Sequence, residues 1–258
     1  MLGAIAGDII GSLHEGSRPQ TPDFELFPRG CRFTDDTVCT LAVADAAMTD
    51  FDFAHHLRAY VQHHPYRRYG RKFRNWAFSK SGPYGSFGNG GAMRVSALPY
   101  LCDSLEIALD MAARSAAVSH DHPAAMNGAA AVVFAIWQAR GGAAEVGGLR
   151  SEIAARYGYS LAGSIDELQK APPPGIQAES SVPAAIACAC LANDYEETVR
   201  LAVSLGGDTD TVACIAGGIA EARFGVPGEI SRVARGHLTP DLLETMERFE
   251  ERLKRVEL

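Results

Sequence analysis

A chain of 258 residues, 47% of them hydrophobic, can bury a full core, and at this length a single domain over residues 1–258 is the expectation. A formal net charge of −7 excludes a surface that grips nucleic acid nonspecifically, because that mode rests on Lys and Arg neutralising phosphates. No apolar run approaches the roughly 18 residues of a membrane span, and Met1–Asp8 lacks the basic start of a signal peptide, so a soluble, cytoplasmic, monomeric protein without a membrane partner is expected.

Taken in chain order, the first informative stretch is Thr34-Asp35-Asp36-Thr37, which immediately precedes an apolar, alanine-rich run predicting a helix over 35–48. The pairs His55-His56 and His63-His64 stand eight residues apart with no Cys or acidic ligand accompanying them, so they read as polar helix surface rather than a zinc site. Arg67-Arg68-Tyr69-Gly70-Arg71-Lys72-Phe73-Arg74 interleaves basic and aromatic residues and reads as a solvated connector, with nucleic-acid contact as the other reading. The glycine-dense segment Ser81–Arg94 is too long for a simple turn. It predicts a ligand-contact loop, with Ala92-Met93-Arg94-Val95 opening a helix whose N-terminus faces an anion.

A helix follows over 104–118. Ser119-His120-Asp121-His122 then leads into a helix over 124–139, where Ser119 and Asp121 are candidate caps and His120 a candidate ligand contact. Gly141-Gly142 and Pro172-Pro173-Pro174-Gly175 are connectors by turn chemistry. Helices are predicted over 183–192 and 195–204. Gly206-Gly207-Asp208-Thr209-Asp210-Thr211 then repeats the earlier acidic signature ahead of a helix over 210–223, and Gly225–Gly228 separates this from a last helix over 239–256. Strand alternation is nearly absent, so the expected fold is an all-α, compact single-domain helical bundle. The six cysteines are scattered among small apolar residues and read as reduced, buried thiols.

The repetition of the acidic signature carries the chemistry. Carboxylates crowded at one spot repel, and a helix N-terminus offsets only up to about 1 kcal/mol of that for each anion. Hard divalent cations take oxygen ligands from Asp, Thr and water, and a pair of them suits this donor set. The competing reading is that each Asp/Thr group is a helix cap.

With both acidic clusters, the glycine loop and the Ser-His element in hand, the chain resembles the ADP-ribosylglycohydrolase family. The resemblance runs from Gly3-Ala4-Ile5-Ala6-Gly7-Asp8 to Phe224-Gly225. Its most specific blocks are Phe33–Thr37, Gly88–Arg94 and Gly206–Thr211. It implies an all-α fold with a binuclear metal site at helix N-termini, holding two Mg2+ ions, with Mn2+ as a substitute. The implied ligands are Thr34, Asp35, Asp36, Asp208, Asp210 and Thr211, while Thr209 holds the turn. Ser86, Gly88, Asn89, Gly90 and Gly91 would wrap a diphosphate, Phe87 would face an adenine, His120 would lie near the phosphates, and Asn127-Gly128 also fits the pattern. Glu15, Asp36 and Asp210 are the implied catalytic residues, with Glu15 favoured for proton transfer. The implied reaction is hydrolysis of the bond between ADP-ribose and an acceptor: a protein arginine or serine, a small adduct, or modified nucleic acid. Phosphoester or diphosphate hydrolysis and an inactive ADP-ribose-binding relative are the alternatives. Glu221 departs from the small residue that many relatives keep there, which bears on helix packing.

Overall fold

The computed structural model describes residues 1–19, 23–142, 146–161 and 163–256. These form α1 (Leu2–Gly11), α2 (Asp35–Met48), α3 (Phe53–His63), α4 (Arg71–Ala77), α5 (Leu98–Leu101), α6 (Leu105–Ala117), α7 (Pro123–Arg140), α8 (Val146–Tyr157), α9 (Ile165–Lys170), α10 (Ala178–Leu191), α11 (Tyr195–Ser204), α12 (Thr209–Phe224), α13 (Gly228–Gly236) and α14 (Pro240–Val256). No strand occurs among the described residues, only an isolated bridge between Gly88 and Gln177. The fold is all-α. No described helix is long and apolar enough to cross a membrane.

Helix α12 is the centre of the bundle. It is buried at every position from Thr209 to Ala220 and packs against α1, α7, α10 and α11. Burial on all sides explains why its sequence reads as uniform Ala, Gly, Ile and Cys rather than as a stripe. Against it lies α1, at backbone contact. A Cβ added at Gly7 would sit 2.0 Å from the Ala213 carbonyl oxygen, and one at Gly11 would sit 2.4 Å from that of Thr209. Glu221, the departure noted above, accepts a hydrogen bond from the Gly3 amide (2.8 Å) and so helps to seat the start of α1 on α12. On the other side, α2 packs against α3 and α14, the latter burying Leu242, Met246 and Phe249.

Two expectations change. The helix predicted over 183–192 begins at Ala178, and Pro183 lies inside α10 as its sixth residue, where its missing N–H removes one i→i−4 hydrogen bond. No helix opens at Ala92–Val95. Asn89–Gly91 instead forms a 3-10 turn whose Asn89 carbonyl accepts from both Ala92 (2.8 Å) and Met93 (3.0 Å), and the next helix starts at Leu98. Five of the six cysteines are buried and all six are free thiols. Burial pushes the Cys39, Cys188 and Cys214 thiols up, which leaves them poor nucleophiles.

Candidate active site

The site is built where two helix starts meet the inner face of α1. Thr34 caps α2, its Oγ1 accepting from the Asp36 amide (3.3 Å) and donating to Asp8 Oδ1 (2.7 Å). Asp8 also accepts from the amides of Thr34 (2.9 Å) and Thr37 (3.1 Å) and from Thr37 Oγ1 (2.5 Å), so one carboxylate of α1 gathers the first turn of α2. At the second start, Gly206 and Gly207 adopt φ of 72° and 75°, a left-handed pair that turns the chain sharply into α12. There the Asp208 amide donates to the Pro174 carbonyl (3.0 Å), and the Thr209 hydroxyl donates to Gly11 (2.9 Å). Thr211 Oγ1 reaches across to Asp36 Oδ2 (3.3 Å) and joins the two helix starts.

Carboxylate oxygens of Asp8, Asp36 and Asp210 lie within 4.8 Å of one another, as do those of Glu15, Asp208 and Asp210. Burial, then repulsion from Asp8 and Asp210, pushes the Asp36 carboxyl well above its ordinary range. Burial, then repulsion from Asp208 and Asp8, does the same to Asp210. Asp35, half-buried at the same helix start, is raised by burial and then by Asp8. Asp36 Oδ1 is buried without a hydrogen-bond partner. A buried orphan oxygen inside a ring of acids, with Asp210 common to two groups, fits hard divalent cations bound by oxygen. Sequence reasoning named five of these acids and missed Asp8. Its only signal was a lone acid in the otherwise apolar run Leu2–Gly11, which needs partners when buried.

Arg68, read from sequence as part of a solvated connector, stands at the mouth of this cluster. Its Nη1 donates to Glu15 Oε2 (2.5 Å) and to the Ser12 carbonyl (2.8 Å) and lies 3.9 Å from Asp210 Oδ2. It does so from a left-handed backbone, φ 66°, rarely adopted by a residue with a long side chain.

The acids form one end of a cavity of about 550 Å3, lined further on by Arg71, Lys72, Phe73, Tyr84, His120 and Ile176. Ser86, Phe87, Gly88, Asn89 and Gly90 line it as well, with the Phe87 ring half exposed. Gly91 does not, being packed beneath the His120 side chain. The glycine loop is stitched to the 176–178 segment by Asn89 N to Ile176 O (2.9 Å) and Ala178 N to Phe87 O (3.1 Å). Asn89 also spends its side-chain amide on Asp208 Oδ2 (2.6 Å), supporting the acidic cluster from behind. Asn127 turns its amide to the Tyr157 carbonyl (3.0 Å) and is not part of the cavity wall.

Capping of α7 falls to His122, not to Ser119 or Asp121. Asp121 accepts from the Gly85 amide (2.6 Å), and Ser119 belongs to a relay. Buried Arg94 donates through Nη2 to the Ser115 carbonyl (2.5 Å) and to Ser119 Oγ (3.2 Å), and Ser119 Oγ lies 2.8 Å from His120 Nδ1. A guanidinium has only donors, so the Ser119 hydroxyl accepts from it and gives its own proton to Nδ1. The imidazole proton is then on Nε2, the atom that a Cβ on Gly90 would approach to 2.7 Å. Burial, then the Arg94 charge, holds His120 well below 6.5, so the ring is neutral and offers one donor beside the glycine loop.

A family model described as ADP-ribosylglycohydrolase matches residues 1–257. The chain is 28% identical to the zebrafish (Danio rerio) ADP-ribosylhydrolase ARH3, the match covering 88% of this chain and 82% of that protein. It is 27% identical to the human (Homo sapiens) ADP-ribosylhydrolase ARH3, covering 94% and 90%. A solved structure titled an ADP-ribosylglycohydrolase-related protein complex superposes with a TM-score of 0.75 at 26% identity, covering 100% of this chain and 97% of that one. The chain belongs to the ADP-ribosylglycohydrolase family of hydrolases.

Proposed function

We propose that this protein removes ADP-ribose from an acceptor by hydrolysing the glycosidic bond at the distal ribose, with two Mg2+ ions held by Thr34, Asp35, Asp36, Asp208, Asp210 and Thr211, and with Asp8 gathering the first turn of α2 behind them. The supporting observation is one cavity lined both by crowded carboxylates, raised by burial and mutual repulsion, and by aromatic and basic side chains. Its volume suits a nucleotide-sized ligand. The names of the zebrafish and human relatives point the same way.

When bound, the ions supply Lewis acidity and a template for ribose hydroxyls. The protein's own part begins with the wall. Arg71 and Lys72 offer positive charge to a diphosphate, His120 Nε2 donates beside the glycine loop, and Phe87 offers an apolar face to a base, with Tyr84 and Phe73 lining the same cavity. Glu15 takes a proton from the attacking water, whose oxygen bonds to the anomeric carbon as the bond to the acceptor breaks; the departing acceptor takes its proton from solvent, and Glu15 then releases its own to solvent. Such a reaction needs a carboxylate that moves protons beside developing positive charge. Arg68 orients that carboxylate from outside.

Two variants test these roles. Glu15→Gln slows turnover by about 100-fold, within the range of a lost general base, while calorimetric Mg2+ binding is retained. Turnover at the wild-type rate would return the proton to an aspartate. Ser119→Ala frees the His120 tautomer and raises KM about 10-fold, the equivalent of one hydrogen bond, with kcat little changed. An unchanged KM would remove His120 from substrate contact.

The decisive assay offers arginine-linked, serine-linked and nucleic-acid-linked ADP-ribose with and without Mg2+, and resolves ADP-ribose from AMP. Mg2+-dependent ADP-ribose from one linkage establishes the reaction and its acceptor. AMP identifies diphosphate hydrolysis instead, and binding without product identifies a receptor.

A further inference from the structure

Outside the cavity the fold assembles a second group of metal-type donors from distant parts of the chain. His63 ends α3, His64 is its C-cap, and Asp241 lies in the first turn of α14. Asp241 Oδ2 is 2.7 Å from His64 Nε2 and 3.7 Å from His63 Nε2, and the three ligand atoms all lie within 4.8 Å of one another. None of the three residues lines the cavity. We propose that His63, His64 and Asp241 form a separate site for a borderline divalent ion of the Zn2+ type.

The donor set selects the ion. Two imidazoles and one carboxylate, with water in a fourth position, are a common zinc complement, whereas Mg2+ prefers an all-oxygen shell. Bond lengths near 2.0–2.2 Å in tetrahedral array put neighbouring donors about 3.3–3.5 Å apart. The two Asp241 spacings bracket that value and the two imidazoles lie within 4.8 Å of each other, so closure around an ion opens the His64 contact and draws His63 inward. The ion would replace the His64 to Asp241 hydrogen bond with two coordinate bonds.

The surroundings are ordered for this purpose. His64 is buried, its carbonyl accepts from the Tyr69 hydroxyl (2.9 Å), and its ring packs edge-on to Phe33 at 6.1 Å. His63 remains 71% exposed and leaves a path from solvent. The C-terminal carbonyls of α3 place the negative end of the helix dipole at the same point, which favours a cation. Sequence reading dismissed these histidines for want of an acid. The acid is 177 residues away and is brought in by α14. Four residues beyond His64 comes Arg68, so an ion here anchors the base of the segment that sets Arg68 against Glu15.

The test uses the full chain without a histidine tag, saturated with Mg2+ and titrated with Co2+, a visible stand-in for Zn2+. The expected result is a strong four-coordinate ligand-field absorption, displaced by Zn2+, with affinity lowered by more than about 10-fold in His63→Ala and in Asp241→Asn. The band should persist in Asp36→Asn and in His55→Ala. Added Zn2+ should also raise the melting temperature of the wild type and not that of His63→Ala. His63 is exposed, so its variant keeps the fold, and its helical circular dichroism checks this. Absence of the band, equal affinity in His63→Ala, or loss of the band in Asp36→Asn would each overturn the site. The last outcome would assign the absorbing ion to the acidic cluster.

Discussion

Replacing Asp36 by Asn lowers Mg2+-dependent turnover by at least about 100-fold, yet the metal-free variant melts higher than the wild type at neutral pH. The activity loss follows from position. Asp36 carries the buried orphan oxygen and accepts from Thr211, so it joins the two helix starts and would face the ion. Losing even a partner behind a metal ligand costs 10–100-fold in affinity or activity, so loss of the ligand itself belongs at or beyond the upper end. The stability gain follows from linkage. Burial, then Asp8 and Asp210, raises the folded-state carboxyl of Asp36 well above the 3.8 at which it titrates in an unfolded chain. Over that interval the folded state binds more protons, so the contribution of Asp36 to metal-free stability is greatest below about pH 4 and falls as pH rises through the raised value. The amide removes that dependence. Melting curves of both proteins in EDTA, taken from about pH 4 upward, should diverge in favour of the variant. Saturating Mg2+ should reverse the order. A variant with full activity, or one less stable than wild type throughout, would contradict the role.

Gly7→Ala is expected to destabilise the protein by more than about 3 kcal/mol, beyond the usual range for overpacking. The added methyl carbon would lie 2.0 Å from the Ala213 carbonyl oxygen and 2.5 Å from its carbon. Both are backbone atoms of the central helix and have no rotamer to relax into, so α1 must back away from α12. The intrinsic helical advantage of Ala over Gly, about 1 kcal/mol, is too small to compensate. Gly148→Ala supplies the contrast. Gly148 lies in α8 with nothing within 4 Å of its Cβ position, so the same change there should stabilise by roughly 0.5–1 kcal/mol. Thermal melts of the two variants should move in opposite directions. For a chain of this size the Gly7 variant should fall by roughly 6–12 °C. A Gly7 variant melting like wild type would mean that the two helices do not touch at the backbone.

The two predictions also mark what could be read from residues alone. Both acidic helix starts were visible because their chemistry is local: a cap, adjacent acids and an apolar run lie within a few positions, and α2 was delimited at both ends. The glycine pair before Asp208 was visible for the same reason. Asp8 was not, since a single acid in an apolar helix looks like noise until the amides and hydroxyls of α2 are seen around it. The apolar run Leu2–Gly11 and the short or polar helices α4 and α13 were not resolved by pattern, because packing rather than propensity sustains them, whereas α9 buries no residue and is set by its Ser164–Glu167 capping box. The expected helix at Ala92 failed because Arg94 is drawn inward to Ser115 and Ser119, a pull that only the folded neighbours exert. Asn89 likewise looked like a loop residue, and its partner Asp208 is 119 positions away.

The Thr209 to Gly11 hydrogen bond joins residues 198 apart, and it bears on how the protein is made as much as on how it works. A chain emerging from the ribosome presents Asp8, Asp35 and Asp36 long before Asp208 and Asp210 exist. At 5–20 residues per second the interval is roughly 10–40 s. Throughout that time the glycine face of α1 has no helix to lie against, and the early acids lack the other half of their ion-binding set. Capture of a cation by the proposed site would therefore be tied to the last stage of assembly. A chain ending short of α12 would hold only the Asp8, Asp35 and Asp36 half of that set.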